Sequence, residues 1–270
     1  MNTMQFQAFR RLVHEFTGVT ISDSKREMLF ARVSKRMHAL EIDCFSSYYK
    51  RLTNDEHEKV AFVDTVTTHE TRFFRTPRIW DYIEHELLTS WRPGLTARPF
   101  KAWSAAASSG EEAYSLSILL HECSEKNPGF TYEVHGSDVS QPMISRCGEG
   151  MYSQRSVAQF QESMPDRFQR SMKVAGDSYT PRAAFRKSVS FSQSNLFSPA
   201  KARQEYDLIL LRNVLIYFSR EDQIRALEVM HDRMRHGAIL IIGESEFLSG
   251  LEHLFENVQP LVYRASHDVH

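Results

Sequence analysis

Three short runs gather the residue types that can do chemistry. They are T-T-H-E-T-R-F-F-R from Thr67 to Arg75, W-S-A-A-A-S-S-G-E-E-A-Y-S from Trp103 to Ser115, and R-N-V-L-I-Y-F from Arg212 to Phe218. In the second, an apolar strand runs into small residues, a glycine and two carboxylates before a helix opens, so a ligand can press closely on the backbone. The loop lacks G-x-G-x-x-G, the fingerprint of a pyrophosphate held at a helix N-terminus. Glu111 and Glu112 stand instead where a helix start would welcome an anion. Two carboxylates there repel phosphates and suit a cation, and a positively charged nucleoside without phosphate, such as S-adenosylmethionine, fits that description.

Asp138 ends the next strand, where an acid is placed to accept hydrogen bonds from two ribose hydroxyls. Asn195-Leu196 and Arg212-Asn213-Val214 close later strands, so four segments fall on one carboxyl rim. Taken singly each residue has an ordinary use: Asp138 caps a helix, Asn195 and Asn213 form turns, Arg75 makes a surface ion pair, Tyr217 fills a core. Their arrival on successive strand ends is what points to a shared site.

The elements that must carry these runs follow from periodicity. Phe6, Phe9, Val13 and Phe16 recur at helical spacing and Gly18 stops them. Ser24 and Glu27 read as a capping box for a second helix, apolar along Leu29, Val33, Met37 and Leu40, with Lys25, Arg32 and Arg36 on a neighbouring face. Two short helices near 44–51 and 54–66 complete an all-helical unit, residues 1–66. Residues 67–76 form a linker ending at Thr76-Pro77, read as N-cap and first helical residue. From there helices and strands alternate, with strands near Phe100–Trp103, Tyr132–Gly136, 206–211, Ala238–Ile242 and Leu261–Arg264, the last expected antiparallel. Such alternation predicts an α/β, doubly wound, mostly parallel Rossmann-like sheet over 77–270. Residues 165–191, basic and alternating, read as a small inserted antiparallel β-subdomain.

Composition narrows the function. Against 33 Lys and Arg stand 34 Asp and Glu, and a net charge of -1 removes the electrostatic motive for binding nucleic acid. No apolar run approaches the roughly 18 residues of a membrane span, and no secretory leader is read at the start, so a cytoplasmic protein is expected. Three scattered cysteines and twelve unclustered histidines predict neither disulfides nor a metal. Through residue 40, seven Lys and Arg outnumber three Asp and Glu, a local excess that suits an acidic partner.

The three runs, with S-D-V-S at 137–140, N-L-F at 195–197 and G-E-S-E at 243–246, resemble the CheR family of chemotaxis receptor methyltransferases in content and order. The resemblance implies transfer of a methyl group from S-adenosylmethionine to glutamate carboxylates on the cytoplasmic helices of chemoreceptors, giving methyl esters and S-adenosylhomocysteine, without a metal. It carries cofactor contacts to His69, Thr71, Arg75, Glu112, Asp138, Asn195, Leu196, Asn213 and Val214, and catalytic roles to Arg75 and Tyr217. It also implies receptor docking through the basic face around Lys25, Arg32, Lys35 and Arg36, with the inserted β-subdomain as a second contact, and a monomer is expected. Two residues depart from the family pattern: His69 stands where Asn is usual, and Glu244 where His is common. A cofactor-sensing module without turnover and a methyltransferase for another carboxylate are the alternatives; the intact Arg75 and Tyr217 speak against the first, the basic helix against the second.

Overall fold

The computed structural model describes residues 1–91, 98–197, 205–248 and 250–266. Caps fix the first helix, Thr3–Thr17 (α1): the Asn2 side chain accepts from the Gln5 N–H, the Gln5 side chain accepts from the Asn2 N–H, and Gly18 closes the C-terminus at φ 76°. Helices Arg26–Ala39 (α2), Phe45–Asn54 (α3) and Glu56–Val66 (α4) follow. Phe6, Phe9, Leu29, Val33, Tyr48, Leu52 and Phe62 bury themselves in one cluster separate from the sheet's core.

One expectation fails here and another is narrowed, each for a physical reason. The Ser24–Glu27 capping box does not form, because a 3-10 turn over Asp23–Lys25 runs straight into α2 and the Ser24 hydroxyl bonds to that of Ser22. The basic face of α2 is also less free than its sequence suggests. Arg36 turns inward onto Glu58 in a two-pronged pair at 2.9 and 2.7 Å, and the Tyr48 hydroxyl donates to the same carboxylate at 2.8 Å. A buried Glu58 demands that partner. Arg32 is spent on the linker, donating to the carbonyls of Val66 and Thr67 and to the Thr68 hydroxyl.

Beyond the linker, seven strands form one sheet in the order β5-β2-β1-β6-β7-β9-β8. They are Phe100–Ala105 (β1), Tyr132–Asp138 (β2), Val189–Gln193 (β5), Tyr206–Leu211 (β6), Met234–Ile242 (β7), Phe255–Gln259 (β8) and Val262–Ala265 (β9), while Met172–Ala175 (β3) and Ser178–Pro181 (β4) make a separate hairpin. The first five of the sheet run parallel, and β9 pairs antiparallel with both β7 and β8. β6 is buried at every residue, as a central strand covered on both faces must be. β8 has no counterpart in the sequence reading.

The stretch 165–191 is more mixed than an inserted β-subdomain. Its antiparallel part is only the β3–β4 hairpin; Pro165–Ser171 and Ala183–Arg186 are helical, and Val189 begins an edge strand of the main sheet. Alternation in V-S-F-S-Q marks a half-exposed strand and does not say which sheet receives it. Thr76 and Pro77 do stand at the N-cap and first helical positions of Pro77–Tyr82, but the Thr76 side chain does not cap: at φ 65° its backbone is left-handed, and its hydroxyl accepts from Arg212 and donates to Glu244.

Candidate functional site

The carboxyl ends of β1, β2 and β6 open on one cleft of about 1180 Å³, counting its mouth. Its floor is the loop after β1, where Ala106 and Ser108 adopt left-handed backbone at φ 66° and 50° and Gly110 at φ 94°. Each such non-glycine residue costs on the order of 1 kcal/mol. The far wall comes from elsewhere: Thr17, Ile21, Lys25, Met28 and Arg32 of the helical unit close over the sheet.

All ten residues singled out from sequence border this one cleft: His69, Thr71, Arg75, Glu112, Asp138, Asn195, Leu196, Asn213, Val214 and Tyr217. Their surroundings differ. Asp138 accepts the Ser108 N–H on one oxygen at 2.8 Å and the Ser140 N–H on the other at 2.9 Å, so the acid shapes the floor as well as facing it. Burial pushes its pKa up, and those N–H groups together with His69 oppose the rise. Glu112 receives the Ser104 hydroxyl at 2.7 Å and Arg212 at 2.8 Å. Glu111 faces away from the cleft; it is buried, bonded to the Ser109 hydroxyl, and its pKa is raised by desolvation. Asn195 has its amide engaged at both ends, donating to the Phe16 carbonyl and accepting from the Phe197 N–H.

The linker is sewn to both sides. His69 sits 2.8 Å from the Thr67 hydroxyl and 3.4 Å from an Asp64 carboxylate oxygen that also accepts from the Ser140 hydroxyl. Its carbonyl accepts from Ser108, so imidazole and backbone tie α4, linker and floor together. Arg75 donates to the Glu70 carbonyl and offers its own carbonyl to Trp80 and Arg212. Tyr217 lies half-buried opposite, with the Lys25 ammonium 5.3 Å from its ring centre and its carbonyl taken by the Thr20 N–H. Glu244 is turned to Thr76 and Arg78 and does not border the cleft.

Two residues matter more than the sequence disclosed. Arg212 is 7% exposed, joins Glu112 to the linker at Arg75 and Thr76, and leaves its Nε buried without a partner among the described residues. An arginine ending an apolar strand was the available signal, since burial obliges it to find a carboxylate. Glu246 accepts the N–H groups of Asn213, Val214, Leu215 and Gly243. The acceptors suit a nucleoside bearing hydroxyls and positive charge: the Asp138 carboxylate, Glu112 already paired with Arg212, and the small residues Ala106, Ala107 and Ser108, with no glycine-rich phosphate cradle. Among the described residues no three His, Cys, Asp or Glu side chains come together as metal ligands.

Comparison with known proteins agrees. Residues 69–263 match the model for the CheR methyltransferase, SAM binding domain, and residues 4–67 the model for the CheR methyltransferase, all-alpha domain. The chain is 30% identical over 266 residues to chemotaxis protein methyltransferase 1 of Vibrio cholerae, covering 96% of this chain and 94% of that one. Chemotaxis protein methyltransferase 2 of Pseudomonas aeruginosa is also 30% identical over 266 residues, 96% of this chain and 91% of its own length. From the all-helical unit to the last strands, the chain belongs to the CheR methyltransferase family.

Proposed function

We propose that the cleft between helical unit and sheet rim holds S-adenosylmethionine, and that Arg75 and Tyr217 present the acceptor to it. The protein is an S-adenosylmethionine-dependent protein-glutamate methyltransferase acting in chemotaxis. The observation that carries the residue assignment is the convergence of ten side chains from five separate segments on one cleft. In this arrangement Asp138 accepts from the ribose hydroxyls, and Glu112 with the backbone of the 106–110 loop holds the charged end. His69 and Thr71 line the linker side, and Asn195-Leu196 and Asn213-Val214 bracket the base.

The cofactor supplies a methyl carbon already activated by a sulfonium. The acceptor glutamate, with a pKa of about 4.3, is anionic at neutral pH, so no group need remove a proton. What remains for the protein is alignment of carboxylate oxygen, methyl carbon and sulfur, which supplies several kcal/mol. Because an anion and a cation become a neutral ester and a neutral thioether, a tight ion pair to the acceptor would favour the ground state over the transition state. Arg75 therefore positions, its guanidinium braced by the Glu70 carbonyl, and Tyr217 orients the acceptor or faces the sulfonium. The helical unit and the β3–β4 hairpin meet the receptor, with exposed Lys35 as the free part of the basic face. Among the described residues no helix is long and apolar enough to cross a membrane.

Purified protein with methyl-labelled cofactor and receptor signalling fragments should yield base-labile carboxyl esters. Arg75→Ala and Tyr217→Phe should each lower turnover roughly 100-fold with cofactor affinity changed far less, as expected of lost alignment. Wild-type turnover in both variants would refute the assigned roles.

A further inference from the structure

Three consecutive backbone N–H groups after β6 point at one side chain. Those of Asn213, Val214 and Leu215 reach the Glu246 carboxylate at 3.0, 2.8 and 2.8 Å, and the Gly243 N–H joins them. Successive N–H groups converging this way form an anion-binding concavity, made possible here by a left-handed residue, Asn213 at φ 59°. Asn213 and Val214 border the cleft; Glu246 does not, and it is 3% exposed. A carboxylate with two oxygens and four N–H donors is fully satisfied, with both lone pairs of each oxygen in use.

We infer that Glu246 is a positioning residue of the methyl transfer: its carboxylate fills the concavity behind Asn213–Leu215 and so fixes the left-handed turn that presents Asn213 and Val214 to the cofactor. Without an anion there, three parallel N–H dipoles repel one another and Asn213 has no reason to keep φ positive. The turn then relaxes, and the wall of the cleft with it. Gly243 belongs to the same device. A Cβ on it would stand 2.7 Å from a Glu246 oxygen and 2.8 Å from the Asn213 nitrogen, between acceptor and donor. Its backbone is not left-handed, so the need for glycine here is one of space. The inference rests on the proposed cofactor site.

Glu246→Gln tests it, because an amide keeps the shape but turns an NH₂ toward N–H donors and halves the acceptors. Titration calorimetry with S-adenosylhomocysteine should give a Kd at least tenfold weaker in the folded variant, and Gly243→Ala, which keeps the carboxylate but wedges the contact, should show the same. Glu246→Asp, anionic but one carbon short, should fall between Gln and wild type. A merely structural role predicts a lower melting temperature with Kd unchanged in the folded fraction, and a Kd within twofold of wild type in both Glu246→Gln and Gly243→Ala would overturn the inference. Should these variants fail to fold, wild-type hydrogen exchange decides: ligand should slow the four amides of 213, 214, 215 and 243 at least tenfold, and unchanged rates would count against the device. If wild-type protein takes up no S-adenosylhomocysteine, it is the assignment of the cleft that fails.

Discussion

The two walls of the cleft are held by opposite means. On the sheet side, two strand ends deliver Asp138 and Arg212, and the first turn of the helix Glu111–Lys126 delivers Glu112, all already buried and already bonded, with the pair Arg212–Glu112 at 2.8 Å at the centre. On the other side, the linker has no secondary structure of its own over much of its length: its first residues hang from side chains of the helical unit, while Phe73 and Phe74 are anchored in the sheet's core. Arg32 grips its carbonyls, and Thr67 and Asp64 surround His69. Rigid elements make a fixed rim; borrowed hydrogen bonds make a wall that another unit controls. A contact on the helical unit therefore reaches the frame that holds His69, while Arg75 is held from the sheet side by Trp80 and Arg212.

Breaking the sheet wall should cost most. Arg212→Ala strands Glu112 in a buried place with only the Ser104 hydroxyl for company, and removal of one partner from a buried pair costs about 3–5 kcal/mol. Urea unfolding should register that loss, and Arg212→Met with Glu112→Gln should recover much of it while cofactor affinity stays poor. A single variant of wild-type stability would mean that the pair does not hold the rim.

Acid should also separate the two regions. His135 on β2 is held down to about 4 from 6.5, by burial first and by the nearby Arg233 charge second, while its ring nitrogens meet the Tyr206 and Ser192 hydroxyls. The unfolded chain takes up this proton at 6.5 and the folded one only near 4, so between those values the unfolded state binds more protons. Stability contributed by neutral His135 is thus whole above pH 6.5 and drains away as pH falls toward 4. Urea midpoints at pH 7 and pH 5 should differ by less in His135→Gln than in wild type; equal differences would remove His135 from the account.

How far the sequence spoke for each wall follows the same division. The rim was legible because strand ends, apolar runs such as Y-D-L-I-L-L and a terminal acid are local patterns. Partners distant in the chain were not: Arg212 meets Glu112 across a hundred positions, and Glu246 meets Asn213 across thirty-three. The same blindness hid the internal partners on α2, where Arg32 and Arg36 read only as a basic face until Glu58 and the carbonyls of Val66 and Thr67 are brought beside them. A charge stripe on a helix reports its period, never its company.

The linker wall offers the gentler prediction. Arg32→Ala removes hydrogen bonds to three acceptors and should weaken cofactor binding about tenfold, a loss of about 1.4 kcal/mol, with the sheet's own stability intact. Arg32→Lys should not rescue it, since one ammonium cannot reproduce a planar fork that spans the carbonyls of Val66 and Thr67. Cofactor Kd measured for both variants checks this, and a Lys variant equal to wild type would reduce the role of Arg32 to its charge.

Lys35 should do the least, and in a different quantity. It is exposed on α2 between Arg32 and Arg36, both of which are engaged within the molecule. Lys35→Ala should leave stability within about 0.5 kcal/mol and cofactor Kd unchanged. Its effect belongs to the receptor: affinity for an acidic signalling fragment should fall by about 0.2–1 kcal/mol at low salt, and the difference should vanish as salt screens it. Arg32→Ala, by contrast, should lose cofactor affinity at every salt concentration, because hydrogen bonds to the Val66 and Thr67 carbonyls do not depend on screening. Salt dependence thus separates a side chain facing a partner from one that builds the cleft, and the reverse pattern would exchange the roles assigned to these two neighbours.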